Sequence, residues 1–466
     1  MSNDIVTVNV TTIEAATPSK LQKMGAVISQ GGTSLTSGDY QLITEETDLS
    51  GIIVAASANA SLTWASSVVT VETSAAHGVT SGTSFRVVIS GVTPDGFNGA
   101  FLATSTGSDT FTYPLTTEPD SDTASVVGTW QFESAVELTQ LETTWYAQNY
   151  ASTTSFYVLE LGAGSTSDGV TALDTFETSN PTLFYSYLVP RAWADESTYV
   201  TFVKSYTSNT SKKYFFTTVD ADNYTDFAST KSVVALQEAP ALDDTDSTSE
   251  FTHAADWLVT LHYTPSSTNK VTPFSFSYVY DVTNYPTKNN STYLSTLKSA
   301  YVNYIDTGAE GGLSDLILKW GTTMDGKDFN YWYSVDWVQI NCKQTIATTI
   351  IEGSNTSTNP LNFNQSGINR LQDAVASKMS DGQEYGLVLG DVVKTTLTSD
   401  ELADAIDEGT YENQTIVNAV PFTDYCSANS THYALGEYDG LTVVYIPATG
   451  FRSITFNIEV TQLVTA

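Results

Sequence analysis

The chain is poor in basic residues. Its 466 residues include 18 lysines and arginines against 52 aspartates and glutamates, which gives a formal net charge of −34. Nucleic acids and anionic membrane surfaces are both bound through clustered lysine and arginine, which neutralise phosphate. We therefore expect neither as a direct partner. Two explanations of the acidity stay open: it keeps the protein soluble, or it attracts a specific basic partner surface.

Cysteine and histidine are scarce. Two cysteines, Cys342 and Cys426, cannot form a disulfide framework, and we interpret them as reduced thiols, with a single bridge between them as the alternative. The four histidines occur in four different contexts, without the H-x-x-x-H or H-E-x-x-H spacing of a zinc site. We expect no metal and no other cofactor.

Long apolar runs are missing. No stretch approaches the roughly 18 residues that a membrane-spanning helix requires. The first residues, MSNDIVTVNVTT, have neither the basic region nor the apolar region of a secretion signal. We expect a protein that is made and folded in a cytoplasm.

Motifs of catalysis and nucleotide binding are also lacking. The sequence has no G-x-x-x-x-G-K-[ST] phosphate loop and no G-x-S-x-G nucleophile motif. GAGSTSDG (162–169) contains G-x-G without the third glycine of a dinucleotide site, and we predict a strand-to-loop turn there. The acidic stretch LDDTDSTSE (242–250) lacks the EF-hand pattern and is typical of a solvated loop. We predict that the protein is not an enzyme.

Apolar residues make up 41% of the chain and follow regular patterns, and the length suggests two to four domains. Both ends alternate between apolar and polar residues, as half-buried strands do. The apolar faces of these two predicted strands comprise Val6, Val8 and Val10, and Ile454, Phe456, Ile458 and Val460. A terminal strand needs an edge to pair with, in its own domain or in a neighbour.

A block of strand signals lies between residues 58 and 132. Runs such as SVVTVET, SFRVVIS, GAFLATS and DTFTYPL alternate with glycine-rich turns, at the spacing of a small sandwich or barrel. Helical periodicity resumes at once in SAVELTQLETTWYAQN (134–149). We interpret the block as an inserted all-β module.

The remainder mixes strands and helices. The predicted strands are GAVIS, SFYVLELG, LFYSYLVP and KKYFFTTVD, and the predicted helices include DESTYVTFVKSYTSN and HAADWLVTLHY. In the C-terminal third we predict four more helices. The first places Leu294, Leu297, Tyr301, Tyr304 and Ile305 on one face and stops at Gly308, and the second carries a stripe of Val335, Val338, Cys342, Ile346 and Ile350.

The last two predicted helices have explicit start and stop signals. One has Ser366 as its N-cap and Gly382 as its end, with Ile368, Leu371, Val375 and Met379 as its buried face. The other begins with a capping box from Thr398 to Glu401 and ends before Gly409. The predicted fold class is α+β or α/β with several domains.

The order of these segments resembles the contractile-tail sheath family of myophages, in its divergent branch with short N-terminal regions. The most specific match is LILKWGTTMDGKDFNYWYSVDWVQINCKQTI, with its GTTMDG turn and its Asp-Trp pair. The segments SKLQKMGAVISQG, LETTWYAQNYASTTSFYVLELG, KKYFFTTVDADNY and NPLNFNQSGINRLQDAV resemble other parts of the family in the same order. The block 58–132 is similar to a β-module that recurs in phage tail proteins.

The resemblance implies a structural subunit of a virion. Identical subunits would assemble helically, in stacked hexameric rings, around a tail tube protein, with baseplate and tail-terminator proteins as further partners. Assembly would take place in the host cytoplasm, and contraction would drive the tube through the host envelope for genome ejection. In the family the terminal strands complete sheets in neighbouring subunits, so the two alternating ends are expected to be exchanged between subunits.

The resemblance also implies a division of the chain. Residues 1–20 and 451–466 would be strand-bearing arms, residues 21–57 with 133–240 the core, and residues 58–132 an outer module. Residues 241–450 would form a C-terminal sheath domain of α/β type that faces the tube. The candidate tube-facing residues are Arg370, Lys378 and Lys394, with ordinary solvated charges as the alternative.

Two other function classes share some of these features. An acidic surface-layer or adhesin-like structural protein shares the acidity and the β-modules, but the helices of the C-terminal third count against it. A carbohydrate-active enzyme would use carboxylate pairs such as those of the acidic stretch, which chance alone produces in a chain with 52 acids.

Overall fold

The computed structural model describes residues 18–238, 250–286, 290–308 and 314–452. The strands of this part of the chain are β1 (Gly25–Ser29), β2 (Tyr40–Ile43), β3 (Ser57–Ala65), β4 (Val68–Thr73), β5 (Ser84–Thr93), β6 (Gly99–Ser105), β7 (Thr110–Pro114), β8 (Val126–Phe132), β9 (Phe156–Glu160), β10 (Ser186–Leu188), β11 (Tyr214–Val219), β12 (Val233–Gln237), β13 (Asn303–Thr307), β14 (Leu316–Lys319), β15 (Val388–Leu389), β16 (Asp391–Thr395), β17 (Gln414–Ala419), β18 (Leu441–Val444) and β19 (Ile446–Pro447). The helices are α1 (Glu46–Ser50), α2 (Glu133–Tyr146), α3 (Thr166–Ser179), α4 (Ser197–Lys204), α5 (His253–His262), α6 (Ser291–Ser299), α7 (Phe329–Asn355), α8 (Gln365–Glu384), α9 (Ser399–Asp407), α10 (Phe422–Ala428) and α11 (Ser430–Leu435).

An eight-stranded sheet runs through the centre, in the order β14-β13-β12-β11-β10-β1-β9-β2. Its six inner strands are parallel, and β2 and β14 pair antiparallel at the two edges. Every residue of β1 and of β12 is buried. Parallel strands are covered by helices on both faces, which explains why these runs are mainly apolar instead of alternating.

Helices form a separate core on each face of this sheet. On one face α2, α5 and α7 pack against alternate strand residues such as Val27 and Val158, and Trp145 and Trp257 are the largest fully buried side chains of that core. On the other face α3, α4 and α6 cover the intervening residues, among them Ala26. This is the three-layer arrangement of an α/β domain, and the mixed α/β class agrees with the prediction.

The block of strand signals forms a closed six-stranded barrel, in the order β3-β4-β7-β6-β5-β8. The four runs that we predicted as strands there correspond to β4, β5, β6 and β7. Aromatic rings fill the barrel, with Phe111 in edge contact with Phe85 and Trp130. Strand β8 continues directly into α2, because Phe132 is both its last residue and the N-cap of the helix. The division of the chain into an outer module and other regions stays a prediction.

The C-terminal part packs α8 against α7 and against a three-stranded sheet in the order β16-β17-β18. Gln372 of α8 fixes that sheet, since its side-chain amide donates to the carbonyl oxygens of Thr395 (2.7 Å) and Val417 (2.8 Å). The capping box predicted from Thr398 to Glu401 is confirmed at the start of α9. The stripe predicted from Val335 to Ile350 lies on α7.

The predicted single helix over residues 290–308 is wrong. Helix α6 ends at Ser299, and Tyr304 and Ile305 belong to strand β13, where both are buried. Tyr301 breaks the helix, with a backbone φ of +62°. A strand that is buried on both faces carries an unbroken apolar run, and such a run also satisfies a helical stripe.

Two further boundaries differ from the predictions. The N-cap of α8 is Asn364 instead of Ser366, because its side-chain oxygen accepts the backbone N–H of Gly367 at 2.9 Å. Gly382 does not end α8, which continues to Glu384; a Cβ at Gly382 would lie 3.0 Å from the ring of Trp337. That glycine permits close packing against α7 rather than a turn.

Candidate functional site

The first candidate site is the crevice where the strand order of the central sheet reverses. After β1 the chain adds β9 on one side of it and then β10, β11 and β12 on the other. In open α/β sheets ligands bind outside the carboxyl ends of the strands at this switch point. Here the loops that follow β1 and β10 meet there.

Protein side chains fill this crevice. The indole N–H of Trp193 donates to the side-chain oxygen of Gln30 at 2.8 Å, and Trp193 is fully buried. Arg86 of the barrel reaches over the crevice and donates two hydrogen bonds to Glu133 of α2. The remaining cavity measures about 10 Å³, which is too small for a nucleotide or any organic cofactor.

The glycines after β1 serve protein packing at this place. The carboxylate of Glu160 accepts hydrogen bonds from the backbone N–H groups of Gly31 (2.6 Å), Thr33 (3.2 Å) and Gly162 (2.7 Å), and from the hydroxyl groups of Ser29 (2.8 Å) and Thr33 (2.7 Å). A buried carboxylate therefore occupies the position in which a phosphate would accept loop N–H groups. The carboxylate of Glu160, and not a bound ligand, therefore holds this loop in its conformation.

A second glycine of this loop gives α2 room. A Cβ on Gly32 would lie 2.6 Å from the backbone nitrogen of Ala135 and 2.7 Å from the carbonyl carbon of Ser134. The residues QGG that follow GAVIS thus lie where α2 and the barrel pack against the end of β1. The sequence prediction did not assign this loop a role.

The stretch GAGSTSDG leads into a helix, which corrects the predicted strand-to-loop turn. Ser165 is the N-cap of α3 and forms a capping box with Asp168. The Ser-x-x-Asp spacing was a usable signal for this helix start. The chain itself caps this helix start, since the Ser165 hydroxyl accepts the N–H of Asp168 at 3.2 Å, and in the preceding loop the Glu160 carboxylate accepts the N–H of Gly162.

Arg191 joins four parts of the fold at the same end of the sheet. Its guanidinium donates to the carboxylate of Glu238 (2.6 Å), to the side-chain oxygen of Gln140 (2.8 Å) and to the backbone oxygen of Glu250 (2.8 Å). Its backbone N–H donates to Glu137 at 3.0 Å. Burial raises the pKa of Glu137 to about 7, although Arg191 lowers it. The sequence offered no signal for this hub beyond the rarity of arginine in this half of the chain.

A buried histidine–carboxylate pair resembles part of a catalytic dyad. The Nδ1 of His253 lies 2.8 Å from Asp256, and its Nε2 lies 3.0 Å from the carbonyl oxygen of Val234. Burial alone lowers the pKa of His253, but Asp256 raises it overall. Both side chains are completely buried, and both ring nitrogens face acceptors. The pair ties α5 to β12 and has no access to a substrate.

The described ranges contain neither a cluster of metal-binding side chains nor, at Cys342, a thiol with a lowered pKa. No group of three or more histidine, cysteine, aspartate or glutamate side chains there could hold a metal ion. Cys342 and Cys426 are both free, as interpreted from the sequence. Burial raises the pKa of the Cys342 thiol to about 11, so this thiol stays protonated at neutral pH. Among the described residues no helix is long and apolar enough to cross a membrane.

The three candidate tube-facing residues lie on α8 and on the neighbouring strand β16. Lys378 pairs with Asp381 at 2.7 Å, and Lys394 pairs with Asp373 at 2.6 Å across to the helix. Arg370, one helical turn from Asp373, donates to a backbone oxygen of the preceding loop at 2.9 Å. The three residues share one region, but each already has a partner in its own chain. Their contact with a tube stays a prediction.

Open strand edges are the second candidate site. Edge strand β2 and the outer strands β16 and β18 of the small sheet each pair on one side, and no strand of the described ranges pairs with the other side. Tyr40 and Leu42 of β2 are more than 40% exposed. Such edges offer unpaired backbone groups to an incoming strand. The predicted terminal strands, with Val6, Val8, Val10, Ile454, Phe456, Ile458 and Val460, lie outside the described residues.

Residues 276–279 form backbone hydrogen bonds with the outer edge of β14, and an exposed aromatic groove of about 300 Å³ lies beside them. Its rim includes Tyr150, Phe276, Tyr278 and Tyr280, which are between 36% and 57% exposed. Phe276 has a backbone φ of +64°, a conformation that costs a non-glycine residue on the order of 1–3 kcal/mol. We call this feature the aromatic groove. Sequence reasoning did not find it.

A solved structure is similar to this chain. No protein-family model and no curated protein matches the sequence. The anti-feeding prophage (AFP) helical sheath in its contracted state, solved by cryo-EM, aligns with 99% of this chain and 100% of its own, at a TM-score of 0.47 and 10% identity.

Proposed function

We propose that the chain is a structural subunit of a phage contractile tail sheath. Identical copies would assemble helically, in stacked hexameric rings, around a tail tube, and the assembly would contract to drive the tube through the host envelope. The tube protein, the baseplate and the tail terminator are the further partners of this proposal, and the virion is its location. The order of sheath-like segments along the chain suggests this function.

The observation that carries the proposal is the combination of alternating chain ends with open strand edges. The strands predicted at residues 5–11 and 454–460 need a strand edge for their backbone groups to pair with. In the described ranges, β2, β16 and β18 offer unpaired edges. Pairing between copies forms backbone hydrogen bonds, and the alternation fixes the register. Arms joined in this way keep subunits connected while their domains repack during contraction.

The filled switch point supports a structural role over an enzymatic one. The crevice in which an α/β sheet would bind a ligand holds Trp193, Gln30 and the Arg86–Glu133 pair instead. The barrel therefore stabilises the sheet at the place where an enzyme of this architecture would keep a site open.

Electron microscopy of the purified chain tests the proposal. The full chain should form hollow tubes, and deletion of residues 1–12 or of residues 453–466 should leave single subunits. A finer variant changes the apolar face of the first segment, V6S/V8S/V10S, and should also abolish tubes. Its matched control changes the polar face of the same segment, T7S/T11S, and should keep them.

Two results would oppose the proposal. Tubes that persist without both ends would show that the terminal segments do not join copies. Single subunits under every condition, with both ends paired inside their own copy, would favour the surface-layer or adhesin-like alternative. Turnover of a glycan that is lost on substitution of Asp243, Asp244 and Asp246 would favour the carbohydrate-active enzyme.

A further inference from the structure

The aromatic groove is uncharged although the chain carries a net charge of −34. Every residue that lines it is apolar or neutral, and its floor includes Leu258 and Val259 of α5 and Pro273. A rim of exposed aromatic rings over an apolar floor is suited to an apolar segment without charge. None of the residues that line the groove could form an ion pair with an acidic or basic ligand.

The described chain ends beside this groove. The backbone N–H of Gly450 donates to Asp328 at 3.1 Å, and the guanidinium of Arg452 donates to the same carboxylate at 2.6 Å. Two residues further along α7, Asn330 accepts the N–H of Phe274 at 2.6 Å. The first turn of α7 therefore fixes both the end of the described chain and the segment that forms the groove wall.

The last glycine of the described chain packs on the groove wall itself. A Cβ on Gly450 would lie 2.9 Å from the Cβ of Pro273, and 3.8 Å from the hydroxyl oxygen of Ser275. Both of these residues line the groove. Residues 453–466 continue from this point, and at about 3.3 Å per residue such a segment is long enough to cross the groove when extended.

The sequence of this segment matches the character of the groove. Ile454, Phe456, Ile458 and Val460 form one apolar face, and Glu459 is the one charged residue of residues 453–466. Because the segment belongs to the same chain, its effective concentration at the groove is high, on the order of millimolar for a short flexible connection. At low protein concentration the same segment of a second copy would therefore compete poorly for the groove.

We propose that, before assembly, residues 453–466 occupy the aromatic groove of their own subunit. The segment that joins copies in the proposed sheath is thereby held back until a neighbouring subunit offers a strand edge. The second half of this inference rests on the proposed function, but occupation of the groove does not. The strained backbone of Phe276 then has a role, since it holds the ring at the rim where the segment passes.

Hydrogen exchange of the dilute full chain, followed by mass spectrometry, tests the occupation. The groove variant F276G/Y278S should raise the exchange rate of residues 453–466 at least tenfold. The reciprocal variant F456S/I458S should raise the exchange of residues 274–280. The matched controls are Y433S, which removes an exposed tyrosine elsewhere, and T455S/N457S on the polar face of the segment; neither should change either peptide.

The outcomes separate this inference from the proposed function. Reciprocal loss of protection that does not depend on protein concentration supports the inference, whether or not tubes form. Protection of residues 453–466 that appears only at high protein concentration would assign the groove to a second copy and overturn the inference. Loss of protection in residues 1–17, instead of residues 453–466, in the groove variant would overturn it as well. If the inference and the proposed function both hold, F276G/Y278S also forms tubes at a lower protein concentration than the unaltered chain.

Discussion

Asp336 of α7 has two carboxylate oxygens in very different surroundings. One accepts hydrogen bonds from the hydroxyl groups of Tyr185 (2.9 Å) and Tyr214 (2.8 Å), and the other has no hydrogen-bond partner although it is buried. Burial raises the pKa of Asp336 to about 6, against the opposing influence of Lys231. Charging this group in the folded state is therefore unfavourable.

The pH dependence of stability follows from that shift. A carboxyl group whose folded pKa lies above its unfolded value stabilises the fold at pH below about 4, and this contribution is lost as pH rises through about 6. Between pH 4 and pH 8 the loss amounts to about 3 kcal/mol. We expect D336N to flatten this dependence in urea unfolding. The control D381N changes a half-buried aspartate that is paired with Lys378 and should retain the dependence. An equal slope in D336N would contradict the account.

Gly32 is the second residue with a specific expected effect. In G32A the new methyl group would meet the backbone of α2 at 2.6 Å and 2.7 Å, and backbone cannot rotate away. We expect G32A to lower the free energy of unfolding by about 2–3 kcal/mol, as overpacking does. G38A is the control, because its methyl group meets no atom within 4 Å; it should cost about 1 kcal/mol or less, through its positive φ alone. Equal losses would show that space at Gly32 is unimportant.

Among the elements, the junction of β8 with α2 decides how the barrel is held. Arg86 of the barrel is paired with Glu133, whose side chain is only 7% exposed. Breaking a pair of this kind leaves a carboxylate without its partner near the buried Glu137. We expect R86A to destabilise the protein by about 3 kcal/mol, and to make the connections on either side of the barrel more sensitive to protease.

The matched variant for this junction removes both charges. R86M/E133M leaves no carboxylate without a partner, so it should recover most of the stability that R86A loses. Limited proteolysis and urea unfolding on the same samples check both effects. If R86A and R86M/E133M have the same free energy of unfolding and the same protease sensitivity, the unpaired charge of Glu133 is not the cause of the loss.

How well the elements could be predicted depended on their surroundings. The barrel strands alternate, because each has one face inside and one outside, and the runs SFRVVIS and DTFTYPL were assigned correctly for this reason. The sequence pattern predicts a helix at Tyr304 and Ile305, which lie in β13, because a strand that is buried on both faces has no alternation. Glu160 and Arg191 could not be found, since the partners that define them come from distant parts of the sequence.

At the scale of the whole molecule, net charge opposes association between copies. Subunits with a net charge of −34 repel one another, and salt screens that repulsion over a Debye length of about 10 Å at 0.1 M. We expect the protein concentration at which tubes form to fall as sodium chloride rises from about 10 mM to about 200 mM. Sedimentation checks this; an unchanged or rising threshold would indicate that subunits meet through complementary charges instead.

The predicted contacts of Arg370, Lys378 and Lys394 with a tail tube can be tested by substitution. The triple variant R370A/K378A/K394A should fold normally, because exposed pairs such as Lys394–Asp373 contribute about 1 kcal/mol or less. If these residues face the tail tube, the variant should still form hollow sheath tubes by itself. It should fail to assemble around isolated tail tubes. The control K204A/K298A removes two lysines of the other helices and should leave that binding intact.

High-resolution electron microscopy of the assembled particle tests the central claim most directly. The map should trace residues 5–11 and 454–460 out of one subunit and into backbone hydrogen bonds with the sheet of another, in a helical array around a central channel. A map in which both segments return to sheets of their own subunit, or a preparation that never forms such an array, would contradict the account.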